Sequence, residues 1–168
     1  MKLLRNNICV VILIVLVGCS NAFQYKVVSK VLDGDTIELN TGERVRLACI
    51  DAPELSQPLG IMSRNWLNDM INDSNRLVSL ESIGRDRWGR NISIVRLKRD
   101  KIANVEMVAI GMAYGYTRYA SQCPVWDKVS NAENRARSEG LGVWQQGNVE
   151  RPWDYRRNRR NQQPHRDD

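Results

Sequence analysis

The chain has 168 residues, enough for one domain with a substantial core and too few for two domains and a linker. Its composition, 42% hydrophobic and 26% charged with 11 Gly and 5 Pro, excludes collagen-like, mucin-like and wholly disordered chains, and its formal charge is +6. The single histidine, His165, sits in a polar C-terminal tail, which removes Ser-His-Asp and Cys-His nucleophilic catalysis, His-rich zinc sites and paired-His RNA cleavage. Any catalysis must therefore fall to carboxylates and arginines, with or without a hard metal ion.

Lys2 and Arg5 precede an apolar run, Ile8 to Val17, too short to span a bilayer but suited to the core of a signal peptide. Leu16-Val17-Gly18-Cys19 follows and resembles a bacterial lipobox, which implies lipidation of Cys19 and attachment to the cell envelope through that anchor. In a Gram-negative cell, Ser20 after the cysteine favours the outer membrane, facing the periplasm. An uncleaved anchor or plain secretion is the alternative. The expected organisation is a signal peptide over 1–18, a lipidated N-terminus and spacer over 19–24, a folded domain over 25–147 and an unstructured tail over 148–168. Cys9 leaves with the signal, so the exported domain keeps two thiols, Cys49 and Cys123, which an oxidising compartment is expected to bridge.

In chain order, Tyr25 to Leu32 and Thr36 to Leu39 read as strands around Asp33-Gly34-Asp35, a hairpin signal. A turn over Asn40 to Glu43 leads into a third strand, Arg44 to Ile50, in which Arg46 points away from the Val45 and Leu47 face. Pro53 ends it, because proline donates no ladder hydrogen bond and bars Ala52 from helix. Met62, Trp66, Met70 and Ile71 fall at helical spacing within Gly60 to Ile71. Two more strands, Leu77 to Ile83 and Asn91 to Leu97, flank a basic loop. Helices follow at Val105 to Met112 and at Val129 to Ala136, ending near Gly140. Trp66, Trp126 and Trp144 read as core. The stretch Arg151 to Asp168, with six Arg and only Trp153 and Tyr155 apolar, is expected to be mostly disordered.

Three clusters share one chemistry: Asp33-Gly34-Asp35-Thr36; Arg46 with Asp51, Ala52 and Glu54; and Asp86-Arg87-Trp88-Gly89-Arg90. Taken singly, they read as a turn, a charged loop and a basic hairpin. Two planar, permanently charged guanidiniums can neutralise a phosphodiester that gains charge in its transition state. Carboxylates can hold a hard cation and take a proton from water.

Together the segments VLDGDTIEL (31–39), VRLACIDAPE (45–54), DRWGR (86–90), AYGY (113–116) and RSEGLGVW (137–144) resemble the staphylococcal, micrococcal or thermonuclease-like nucleases. The resemblance implies an α+β fold, an OB-fold-type five-stranded β-barrel with three α-helices, and a calcium-dependent nuclease acting on DNA and RNA with little sequence specificity and leaving 3′-phosphates. It implies that Asp35, Asp51 and the Ala52 carbonyl bind Ca²⁺, that Glu54 sits beside the attacking water, and that Arg46 and Arg90 grip the phosphate. Arg87, Trp88, Tyr114 and Tyr116 match positions lining a nucleotide pocket, where aromatics can stack on bases. Two positions depart from the family pattern: Ala52, commonly Thr, and Trp88, often Tyr. No obligate protein partner is expected. The rival reading is a catalytically silent nucleic-acid-binding barrel, against which stands the presence of all five matching positions, Asp35, Arg46, Asp51, Glu54 and Arg90.

Overall fold

A computed structural model describes residues 24–145 and 149–162. The signal segment, Cys19, the spacer up to Phe23, and His165 lie outside the described residues. Strands β1 (Tyr25–Asp33), β2 (Thr36–Leu39), β3 (Arg44–Leu47), β5 (Leu77–Arg85) and β6 (Asn91–Arg96) close a barrel in the order β1-β2-β3-β6-β5. β1 pairs antiparallel with both β2 and β5, β2 with β3 and β5 with β6, and a parallel pairing of β3 with β6, Arg46 opposite Ile92, completes the ring. A short pair, β4 (Ile50–Asp51) with β7 (Tyr114–Gly115), lies beside it. Helices α1 (Gly60–Asp73), α2 (Ala103–Ala109) and α3 (Trp126–Ser138) complete the expected α+β barrel with three helices.

Alternation along the strands fills the interior: Val28, Ile37, Val45, Leu47, Val78, Ile94 and Val95 are buried. Asn104 on α2 is wholly buried and fastens that helix to the barrel, accepting from Val95 N at 2.9 Å and donating to the carbonyls of Ala48 at 2.8 Å and Ser93 at 3.1 Å. Gly34 in the β1–β2 turn is required by close approach, since a Cβ there would overlap Ser63 Oγ of α1 and lie 2.7 Å from Ala52 Cβ. That contact presses the Asp35 turn against the Ala52 loop. Cys49 and Cys123 are disulfide-bonded, their Cα atoms 5.6 Å apart.

Three expectations need correction. The strand read as Arg44 to Ile50 is broken at Cys49, whose φ of 70° turns the chain out of the barrel so that Ile50 and Asp51 pair with β7 instead of β6. In α1 the buried stripe is Gly60, Ser63, Leu67 and Ile71, while Met62 and Trp66 are exposed, Trp66 at 45%. The helix is turned so that Ser63 Oγ can donate to the Met112 carbonyl at 2.7 Å, a bond that apolar spacing does not encode. Finally, the tail expected to be disordered forms an eleven-residue helix, α4 (Pro152–Gln162), with proline at its first position. A polar helix of that length is marginal alone. Its docking contacts stabilise it: Tyr155 Oη lies 2.9 Å from Ser56 Oγ, and Gln57 Nε2 donates to the Glu150 carbonyl at 2.9 Å.

Candidate active site

The site starts from the turn between β1 and β2. Asp33 Oδ1 accepts from Asp35 N at 3.0 Å, a local Asx-type bond that sets the turn and aims Asp35 at the neighbouring loop. There Asp35 Oδ2 accepts from Ala52 N at 2.7 Å. Pairing of β2 with β3 sets Thr36 opposite Arg46, and β4 carries Asp51 to the same place. Arg46 closes the group: Nη1 lies 2.9 Å from Asp35 Oδ2 and Nη2 2.8 Å from Asp51 Oδ1. The Arg46 side chain is 14% exposed and that of Asp51 1%. Pro53 then reverses the chain, and Glu54, its backbone N–H bonded to Gln57 Oε1 at 2.9 Å, faces outward. The structure thus brings Asp35, Arg46, Asp51, Ala52 and Glu54 together from three segments.

Charge dominates this floor. Burial works to lower the pKa of Arg46, but Asp35, Asp51 and Asp33 outweigh it and hold the guanidinium charged more firmly than usual. Burial raises the Asp51 carboxyl in spite of Arg156 and Arg46 beside it. Asp33 is pushed up to about 7 by burial and then by the adjacent Asp35. Four carboxylates, Asp33, Asp35, Asp51 and Glu54, thus meet two guanidiniums, and two of the four, Asp33 and Asp51, are made harder to ionise by burial. The oxygen-only donor set and this excess of acid fit a hard cation held by Asp35, Asp51 and the Ala52 carbonyl. Among the described residues no three acidic side chains are grouped so as to hold a metal ion, and Arg156 of α4 bridges Asp51 and Glu54.

Arg156 was not singled out by sequence. Its Nη1 donates to Glu54 Oε1 at 2.7 Å and its Nη2 to Asp51 Oδ2 at 2.6 Å. Burial tends to lower its pKa, and the bonds to Asp51 and Glu54 raise it instead. The one signal that could have found α4 was Trp153 and Tyr155, two aromatics in an otherwise polar tail.

The remaining candidates form two groups outside the floor. At the β5–β6 hairpin, Arg90 Nε lies 2.6 Å from Asp86 Oδ2, while Asp86 Oδ1 accepts from Trp88 N at 2.9 Å and Arg90 N at 3.0 Å. Desolvation would raise Asp86, but these bonds from Arg90 and Trp88 more than reverse it. Asp86, four residues before Arg90, is a positioning residue to which the sequence analysis gave no role. Arg87 lies 4.1 Å over the Trp88 ring, which is 67% exposed. Pairing of Val45 with Asn91 sets Arg90, one residue earlier, beside the start of β3. Tyr114 departs from the expected stacking role, being 2% exposed beneath Trp144 and Trp153, with Arg151 over its ring and its hydroxyl donating to the Val149 carbonyl at 3.2 Å. Tyr116 stacks face to face on Trp153, centroids 5.1 Å apart and planes within 5°.

Residues 44–146 match the family described as staphylococcal nuclease homologue. The chain belongs to the staphylococcal nuclease family. Within that family it is similar to a protein named "uncharacterized endonuclease" of Haemophilus influenzae, 37% identical over 85% of this chain and 79% of the relative. It is also 34% identical to a micrococcal nuclease of Shigella flexneri over 94% of both chains. A staphylococcal-like nuclease of Arabidopsis thaliana is 29% identical over 70% of this chain and 34% of its own length. The family match takes in Arg46, Asp51, Glu54 and Arg90; the Asp35 turn precedes it and α4 follows it.

Proposed function

We propose that this nuclease-family protein is a calcium-dependent, extracytoplasmic enzyme that hydrolyses phosphodiester bonds of DNA and RNA with little sequence specificity. The observation that carries the reading is the buried Arg46 held between Asp35 and Asp51, with Glu54 at the rim. A guanidinium fixed in this way has no rotamer search to complete when a phosphate arrives. Arg90, oriented by Asp86, supplies a second fork from the barrel's other edge. Glu54 takes a proton from a water whose oxygen forms the new bond to phosphorus. The phosphorus–oxygen bond to the leaving sugar oxygen breaks, and that oxygen takes a proton from solvent. Asp35, Asp51 and the Ala52 carbonyl would hold a calcium ion, which would supply positive charge to offset the negative charge developing on the phosphate. The exposed ring of Trp88 can stack on any base, which suits cleavage with little sequence specificity.

The apolar run and the Leu16-Val17-Gly18-Cys19 pattern support export and lipidation at Cys19, and a disulfide suits that compartment. Radiolabelled palmitate should enter the wild-type chain and not a Cys19→Ser variant; equal labelling of the two would end the anchor reading.

The deciding experiment is cleavage of plasmid and single-stranded DNA with calcium or with EDTA, beside Glu54→Gln and Arg90→Ala. Calcium-dependent cutting that falls at least about a hundredfold in both folded variants supports the enzyme. Binding without cutting by the wild type would transfer the argument to a silent nucleic-acid-binding barrel.

A further inference from the structure

We propose that residues 149–162 are an autoinhibitory strap: Arg156 occupies Asp51, one of the carboxylates assigned to the cation, together with Glu54, and Trp153 covers the face of Tyr116 that a nucleobase would use. The proposal rests on the nuclease reading above. Both ligands of such an enzyme are imitated by one helix. Arg156 presents its positive charge to Asp51 and Glu54, the latter being the carboxylate assigned to the attacking water. Three residues earlier, one turn along α4, Trp153 lies nearly parallel to Tyr116, as a base would, and packs edge-on against Tyr114. Arg156 takes up Oε1 of Glu54, one of the two oxygens by which that carboxylate would engage the attacking water.

The strap is built to leave. The side chains of Arg156 and Glu54 are 35% and 37% exposed, so water and salt screen their attraction. Its other anchors include two hydrogen bonds from Arg156 to the buried Asp51, contacts of Tyr155 and Arg159 with the Ser56 hydroxyl, two backbone carbonyls bonded by Gln57 and Tyr114, Arg151 over the Tyr114 and Trp144 rings, and the packing of Trp153 on Tyr116 and Tyr114. Beneath it, Asp35, Arg46 and Asp51 keep their own network. Withdrawal of α4 therefore opens the site without dismantling its floor. Cation and nucleic acid each compete with the strap, so either one favours the binding of the other.

The test uses the whole chain and its Arg156→Ala and Trp153→Ala variants, with Arg157→Ala as control. Arg157 pairs with Asp154 at 2.8 Å on the same helix, so its loss removes equal charge away from the carboxylates. Calcium affinity is read by calorimetry, and hydrogen exchange is followed across 151–162 with and without calcium and a phosphorothioate oligonucleotide. If the strap is docked nine-tenths of the time, Arg156→Ala and Trp153→Ala each tighten calcium binding by up to about tenfold, while Arg157→Ala stays within about twofold. Exchange in 151–162 speeds up when both ligands are added. Trp153→Ala keeps every charge, so its gain cannot come from simple electrostatics. Unchanged or weaker calcium binding in both variants, or slower exchange of α4 with the oligonucleotide present, overturns the strap and makes α4 part of the substrate cleft. If no protein binds calcium or cuts DNA, the nuclease reading falls and the strap with it; if all bind and cut alike, only the strap falls.

Discussion

The floor of the site and the helix lying across it use the same chemistry, guanidinium against carboxylate, with opposite consequences. Arg46 reaches its two acids from β3, on the face opposite the interior residues Val45 and Leu47, where each partner is also held by its strand or turn. Arg156 reaches Asp51 and Glu54 from outside, on a helix whose support is polar contacts and the packing of Trp153 and Arg151 against Tyr116 and Tyr114. The inner pair has lost its water, so breaking it leaves charges that nothing solvates, whereas the outer arginine can return to solvent. Burial therefore separates a residue that organises the site from one that can yield its place.

The comparison can be broken most forcefully at the floor. Arg46→Ala should cost about 3–5 kcal/mol in chemical denaturation, because Asp35 and Asp51 stay buried without their shared partner, and it should abolish cleavage. Replacing Cys49 and Cys123 by serine should cost about 2–4 kcal/mol, since the bridge joins residues 74 apart and ties the bend before Asp51 to the segment before α3. Gly34→Ala should cost about 1–3 kcal/mol and lower activity further, as the added methyl pushes the Asp35 turn off Ser63 and Ala52. A thermal shift smaller than that of an exposed-loop substitution would show that α1 yields there.

Smaller effects belong to the rim. Asp86→Asn should leave stability within about 1 kcal/mol of wild type while slowing turnover several-fold, because Arg90 keeps its charge but loses its bracket. Rescue by Asp86→Glu would point to orientation as the cause. Trp88→Ala should be nearly silent in stability, within about 0.5 kcal/mol, and weaken single-stranded DNA binding by about 1–3 kcal/mol in titrations at fixed salt.

Much of this was visible in the residues. The Asp33-Gly34-Asp35 turn, the alternation of Val45 and Leu47 with Arg46, and the break at Pro53 are local rules that placed these segments, whereas grouping Asp35, Arg46, Asp51, Ala52 and Glu54 into one site came from the resemblance to the nuclease family. Arg90 was visible as a second guanidinium, but the bracket made by Asp86 was not, because an acid four residues before an arginine in a loop has no fixed partner until the hairpin closes.

The chain's own pattern was enough to specify the barrel strands, the two short turns that carry acid, and the residue types able to work without histidine. Steric preference and hydrophobic alternation act over a few residues, and they do not depend on what lies across the fold. Three matters depended on distant neighbours. Ser63 faces inward because the Met112 carbonyl lies over it, and Asp51 leaves the barrel because Cys49 takes a left-handed conformation and bonds Cys123. Arg156 sits on Asp51 and Glu54 because Trp153 and Tyr155 find partners on Tyr116 and Ser56, residues far from them in sequence. A polar segment that cannot bury itself takes its shape from the surface it meets, so its helix and its place over the site are properties of the assembled fold.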